Sequence, residues 1–437
     1  MKIFIDNKEY APFKTPLGGV VIAVTENETA EVRLEGVPET DEQIFIRPLN
    51  LAIAHKREEG TVSFAAPSPS RLSFEVGIAE PPKAENLPEK RFPGCDDPFL
   101  SDLPLAIFII EAEEKPEGVT REFLPGFHNA GEIILKSGDS VYLHEGAVVC
   151  GNIFAEDAEN IIVSGPGVFD VTGYPLRQMK RRFLALHRCK NVVLKDFTVI
   201  GSETWVIVPM ASDKVVISGV NVLTWIMSGD GIDLCGCTNV VVEGCYVRVA
   251  DDCVAVKALH LETPQIYGAR DIKNIVVSNC VLWNDQPGNA LEIGYETRTE
   301  EISDIVFEDC DVIHCMREGW QSGGVFTIHN GDRANIHDIV YKNIRVEDAR
   351  EKLIDFKVLK AVYTRDETRG QIRNITLEDI AITGGEFAPS IIRGWEDKPP
   401  HLVGPVTIKN LTYMGKRATN LLNARIVAEL STDVTVE

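Results

Sequence analysis

The chain is short of positive charge: 44 lysines and arginines stand against 66 aspartates and glutamates, leaving a net charge of −22. Repulsion at that charge excludes nucleic acid and anionic membrane as natural partners and leaves a neutral partner easier to accommodate. No apolar run reaches membrane-spanning length, and the opening MKIFIDNKEYAPF lacks the basic start, apolar core and cleavage site of a secretory leader. As it stands the sequence predicts a cytoplasmic protein, or a secreted one if a leader has been trimmed. Zinc-type cysteine pairs are also missing. Of the ten cysteines, Cys235 and Cys237 are too close for a zinc knuckle and no second pair follows. The thiols sit in valine-rich runs, so buried free cysteines are expected, with no metal and no cofactor.

What the chain has in abundance is one phrase. NIIVSGPGV from Asn160, NVVLKDFTV from Asn191, KVVISGVNV from Lys214, NVVVEGCYV from Asn239 and NIVVSNCVL from Asn274 are versions of it, with four more from Asp304, Asp338, Asn374 and Pro405. They recur every 23 to 36 residues. β-branched strands, polar turns and the absence of a helical period make this an all-β solenoid. Counting from the first residue as zero, offsets 1 and 3 fit one inward-facing strand, and offsets 6 and 8 fit the next strand after a bend. Cys245, Cys280 and Cys310 share offset 6 and are expected to stack in successive coils. The opening asparagines and aspartates suit the turn, where their side chains can bond nearby backbone.

Residues 1–125 read differently. Short alternating strands (KIFIDN, GVVIAVTE, AEVRLEG, RLSFEVG) fit an antiparallel β-sandwich, followed by a Pro-rich charged linker. The solenoid is assigned to 126–437. Stacked coils leave an open N-terminal end that must be covered, and the sandwich is the candidate cover.

Carboxylates interrupt this apolar pattern in SGDGIDLCGC...VADDCVAVK. Asp251 and Asp252 follow Asp230 by 21 and 22 residues, close to one coil, so the three belong on neighbouring rungs roughly 5 Å apart. Like charges packed beside apolar residues push one pKa upward, an arrangement suited to a site needing both an acid and a base. Glycoside hydrolysis has that need: one carboxylic acid protonates the leaving oxygen while ionised carboxylates activate a water. Calcium is the competing explanation of an acidic cluster.

GVFD (167–170), SETWVIVPMASDKVVISGVNV (202–222), SGDGID (228–233), ADDCVAVK (250–257) and GNALEIG (288–294) resemble, in order and spacing, the signature blocks of family 28 glycoside hydrolases, the polygalacturonases. The resemblance implies a right-handed parallel β-helix and hydrolysis with inversion, with Asp251 as general acid and Asp230 and Asp252 holding the nucleophilic water. The family's Gly-His-Gly block appears here as Gly288-Asn289-Ala290, and its Arg-Ile-Lys block is missing near GGVFTIHNGDR (323–333). The sandwich followed by FLPGFHNAGEIILKSGDSVYLHEGAVVCGNI (123–153) resembles the layout of family 49, the dextranases and isopullulanases. Together these imply an oligo- or polysaccharide substrate, a neutral dextran-like α-glucan rather than polygalacturonate; a polygalacturonase-type pectin hydrolase is the alternative.

Candidate substrate-binding residues are Lys257, Asn289, Glu292, Glu296, His329, Asp332, Trp205 and Trp225, with Trp283 and Trp320 as further flat faces for sugar rings. Each carries a plainer reading, as a strand residue, turn residue or coil filler. Readings from other classes are a β-helix polysaccharide lyase, which would use calcium and an arginine base, and a non-catalytic glycan-binding solenoid. Arg248, the nearest arginine, is expected to point to solvent. A homo-oligomer is allowed, and the sequence names neither the sugar nor exo or endo action.

Overall fold

The computed structural model describes residues 1–77, 101–258, 270–285, 287–316 and 323–437. Residues Lys2 to Glu111 build two five-stranded sheets. Their facing sides bury Ile3, Val32, Leu34, Phe64, Leu72, Phe74 and Ile107 in one core. The sandwich is not wholly antiparallel: Leu105–Glu111, arriving after the Pro-rich passage, inserts between Gly18–Thr25, to which it runs parallel, and Ser70–Val76.

From Arg121 to Val436 the strands form a parallel β-helix. Each coil crosses three faces. The first face holds the opening strand of each phrase, such as Asp213–Ser218 and Thr238–Glu243; the second holds Asn221–Leu223 and Tyr246–Val249; the third holds Ile232–Cys235 and Val254–Ala258. Offsets 1, 3, 6 and 8 point inward, as in Val240, Val242, Cys245 and Val247, all buried in one continuous core. Cys245, Cys280 and Cys310 are fully buried free thiols whose Sγ atoms donate to the carbonyls of Glu243, Ser278 and Glu308.

The residue opening each phrase is there for its backbone. Asn160, Asn191, Asn239, Asn274, Asp304, Asp338 and Asn374 all have φ between +53° and +58°. Among residues with a Cβ, asparagine and aspartate tolerate that left-handed geometry best. Their side chains bond the next coil rather than the local backbone: Asn191 donates to Asn160 at 3.1 Å and Asn274 to Asn239 at 3.0 Å.

The sandwich does not cap the stack. It lies along the side of the β-helix, where Leu17, Val20, Ala106 and Phe108 pack on Val168, Ile200, Leu223, Tyr246, Val281, Trp283 and Ile313. The second face is apolar on its outer side across these coils, and lateral docking removes that surface from water. On the first coils Phe127 and Ile134 remain 60% exposed.

This placement also corrects Arg248. It does point outward from the solenoid, but the sandwich covers it and leaves it 3% exposed. Its guanidinium lies 3.5 Å from the Trp283 ring centre, pairs with Asp285 at 3.2 Å and donates to the Leu17 carbonyl at 2.6 Å. A second buried charge cluster crosses the same seam. Arg47 meets Glu75 at 3.2 Å and Glu347 at 2.5 Å, and His314 lies 3.0 Å from both Glu75 and Asp348.

Candidate active site

The turns from the second to the third face place the acids. Asp230 precedes Ile232–Cys235 and Asp251 and Asp252 precede Val254–Ala258; because Ile232 pairs with Val254, Asp230 lies over Asp252. One oxygen of each of the three carboxylates lies within 4.8 Å of the others. Two glycines permit this closeness. A Cβ on Gly231 would meet Val247 at 2.4 Å, and one on Gly288, whose φ is +117°, would lie 2.4 Å from the Asp251 carbonyl carbon.

The three carboxylates have different surroundings. Lys257, on the outer side of Val254–Ala258, places Nζ 2.5 Å from Asp230, 2.9 Å from Asp233 and 3.7 Å from Asp252, with the Trp205 ring centre 4.1 Å away. Asp252 also accepts hydrogen bonds from the Asn289 backbone N–H at 3.0 Å and its side-chain amide at 2.8 Å. The Asn289 side-chain oxygen Oδ1 in turn accepts from Gly324 N–H at 2.9 Å. Asp251 makes no ion pair among the described residues; its carboxylate accepts from the backbone N–H groups of Ser228 at 2.9 Å and Asp252 at 3.1 Å.

These surroundings sort the protons. Burial, then the charges of Asp230 and Asp252, holds the Asp251 carboxyl well above the usual range. Burial also lifts Asp252, but Lys257 and Asn289 pull against it and it settles at about 7. Asp233, fully enclosed, is raised by burial and by Asp230. Lys257 is held charged: burial disfavours the ammonium, and Asp230, Asp233 and Asp252 outweigh that cost. The protons belong to the cluster as a group.

The cleft over these residues has a volume of about 140 Å³ and is lined by Trp205, Ser228, Asp230, Asp251, Asp252, Lys257, Gly288, Asn289, Gly294, Tyr295, Glu296 and Tyr363. Of the residues expected from the sequence, Asp230, Asp251, Asp252, Lys257, Asn289, Glu296 and Trp205 therefore come together. Five others do not line the cleft. Glu292 and His329 are fully buried against each other, with His329 Nδ1 3.0 Å from Glu292 and Nε2 3.3 Å from Asp355. Burial would lower the His329 pKa, but Glu292 and Asp355 carry it up to about 10, so the ring is an imidazolium. Asp332 is a loop anchor, accepting from the backbone N–H groups of Arg365 at 2.7 Å and Asp366 at 2.8 Å. Trp225 packs under the sandwich, and Trp283 is enclosed beside Arg248. Trp320 lies outside the described residues.

Sequence reasoning missed three residues. Asp233 was legible in SGDGID, since strand alternation from inward Ile232 turns it to the face that carries Lys257. Tyr295 follows LEIG, where only the glutamates drew notice. Tyr363 arrives on the loop that Asp332 anchors, and no local pattern announces it.

Residues 150–427, well over half of the chain, match the model of glycosyl hydrolases family 28. The chain belongs to that family. A probable polygalacturonase of Vitis vinifera is 29% identical to this family 28 chain over 118 residues, which make up 24% of each protein, so the match spans about a quarter of that relative. Among solved structures, the family 28 exopolygalacturonase of Yersinia enterocolitica superposes with a TM-score of 0.53 at 14% identity, covering 94% of this chain and 95% of the other. Dex49A from Penicillium minioluteum superposes with a TM-score of 0.52 at 12% identity, covering 92% and 79%. At those identities the two structures establish a shared fold.

Proposed function

We propose that this family 28 chain hydrolyses the glycosidic bonds of an oligo- or polysaccharide with inversion, without a cofactor, and that Asp230, Asp251 and Asp252 carry the reaction. The observation that carries the reading is the unequal sharing of Lys257: the ammonium contacts Asp230 and Asp252 but makes no ion pair with Asp251. Asp251 keeps a proton to give to the leaving oxygen as the C–O bond breaks. Asp230 and Asp252, both in contact with Lys257, orient a water whose oxygen attacks the anomeric carbon and whose proton passes to that pair. One Asp252 oxygen is occupied by two Asn289 N–H groups and one Asp230 oxygen by Lys257. Oxygens so engaged are poor nucleophiles, which favours holding a water over forming a covalent sugar intermediate.

The cleft also bears on the substrate. It presents four carboxyl groups, Asp230, Asp251, Asp252 and Glu296, and among the described residues lining it the one cation, Lys257, is already shared. A polyuronate carboxylate would find no unshared cation among these lining residues, whereas a neutral glycan needs none. Hydrolysis of polygalacturonate is the second reading, favoured by the family and by the name of the Vitis relative. Reducing-end release from dextran, pullulan and polygalacturonate separates the two. Asp251→Asn should abolish release, by about a thousandfold or more for a lost general acid supported by the whole site, with the circular dichroism spectrum unchanged. A fully active Asp251→Asn variant would overturn the assignment.

A further inference from the structure

Tyr295 lines the cleft beside Glu296, and its ring lies parallel to that of His329, with centres 4.3 Å apart and planes 10° apart. His329 cannot shift freely. It is bracketed by Glu292 and Asp355, and Asp355 continues to Lys357 at 2.9 Å and Lys352 at 3.6 Å. Removing or turning the imidazolium would leave two buried carboxylates short of a partner. Gly294 brings the layers together, since a Cβ there would lie 2.2 Å from the His329 carbonyl oxygen. The outcome is a phenol ring seated on a fixed cationic plate, an arrangement the ring quadrupole favours.

We propose that Tyr295 is a specificity-determining platform on which the apolar face of a neutral pyranose packs beside the three aspartates, and that His329 is a positioning residue that holds the ring in place. The inference rests on the hydrolase reading above and adds the class of sugar. A pyranose offers C–H groups on one face, which pack on an aromatic ring. A uronate would in addition need a cation; among the described residues Lys257, Lys352 and Lys357 are paired with aspartates, and the Arg182 guanidinium lies against the Trp205 ring, 5.0 Å from its centre.

The test uses the full chain carrying Asp251→Asn, so that ligand survives, titrated calorimetrically with isomaltotriose and with trigalacturonate. Isomaltotriose should bind. Adding Tyr295→Ala should weaken binding tenfold or more, Tyr295→Phe should stay within threefold, and His329→Gln should fall between them. In the otherwise wild-type enzyme, Tyr295→Ala should raise KM more than it lowers kcat on whichever glycan is cleaved. If His329→Gln does not fold, the Tyr295 pair alone decides. The proposal is overturned if the Ala variant binds as tightly as its parent, if only trigalacturonate binds, or if neither trisaccharide binds. The hydrolase reading fails separately, when the wild type cleaves no glycan.

Discussion

Replacing Lys257 by methionine removes the cation that Asp230, Asp233 and Asp252 share while keeping most of the side-chain volume. At 3.7 Å from Asp252 and an effective dielectric of about 20, the ammonium contributes about 4.5 kcal/mol toward keeping that carboxylate ionised, or roughly three pKa units. Water admitted to the vacated space screens part of this, so a rise of about one to three units is expected. The assay is the pH dependence of kcat/KM. Its acidic limb, which reports ionisation of the water-holding pair in the free enzyme, should move up by at least about one unit, with the maximal rate reduced. Stability should change with a definite sign. Without the cation, Asp233 and Asp252, already raised by burial, bind protons still more tightly in the fold than in the unfolded chain. The variant should therefore unfold closer to wild type at pH 4 and fall increasingly below it as pH rises to 8. Removing one partner of a buried cluster costs about 3–5 kcal/mol at neutral pH. An acidic limb that stays in place, with activity retained, would refute the role given to Lys257.

The remaining expectations are more local. Arg248→Ala should destabilise the protein by about 3–5 kcal/mol, since it strands Asp285 and removes the bond to Leu17; thermal unfolding measures it, and a loss under about 1 kcal/mol would contradict the docking described. Cys280→Ala should cost about 1 kcal/mol for a methyl-sized void in a fully buried column, and the native Cys280 thiol should resist labelling until the chain unfolds. Asp252, lifted to about 7 by burial against the pull of Lys257, stabilises the fold at acidic pH. That contribution, at most about 4 kcal/mol, is fully present below about pH 4 and lost as pH rises through 7, so Asp252→Asn should flatten this part of the pH dependence of Tm.

The solenoid was legible because its signal is written many times over: inward columns such as Cys245, Cys280 and Cys310 need no knowledge of what lies outside the coil. The carboxylates were legible for the same reason, since one coil's length fixes Asp230 over Asp252. The outer faces were harder to read. Arg248 reads as solvent-facing when only its own strand is considered, and only the docked sandwich turns that position into an interior. His329 and Glu292 lie on the outer side of the third face, which alternation alone marks as accessible, yet a buried charge ladder encloses them. Tyr363 depends on a loop anchored by Asp332 across 33 residues, a distance at which local patterning carries no information.

The central claim, hydrolysis by a water held between Asp230 and Asp252, is tested most directly by following the products of the cleaved glycan by proton NMR within the first minutes. One oxygen of each of the three carboxylates lies within 4.8 Å of the others, against the roughly 6.5–9.5 Å usual between the acid and base of inverting enzymes, and the product anomer distinguishes the two outcomes. The expected result is a reducing end that first appears with the anomeric configuration opposite to that of the bond cleaved. First appearance of the retained anomer, or of an unsaturated sugar, would contradict the account.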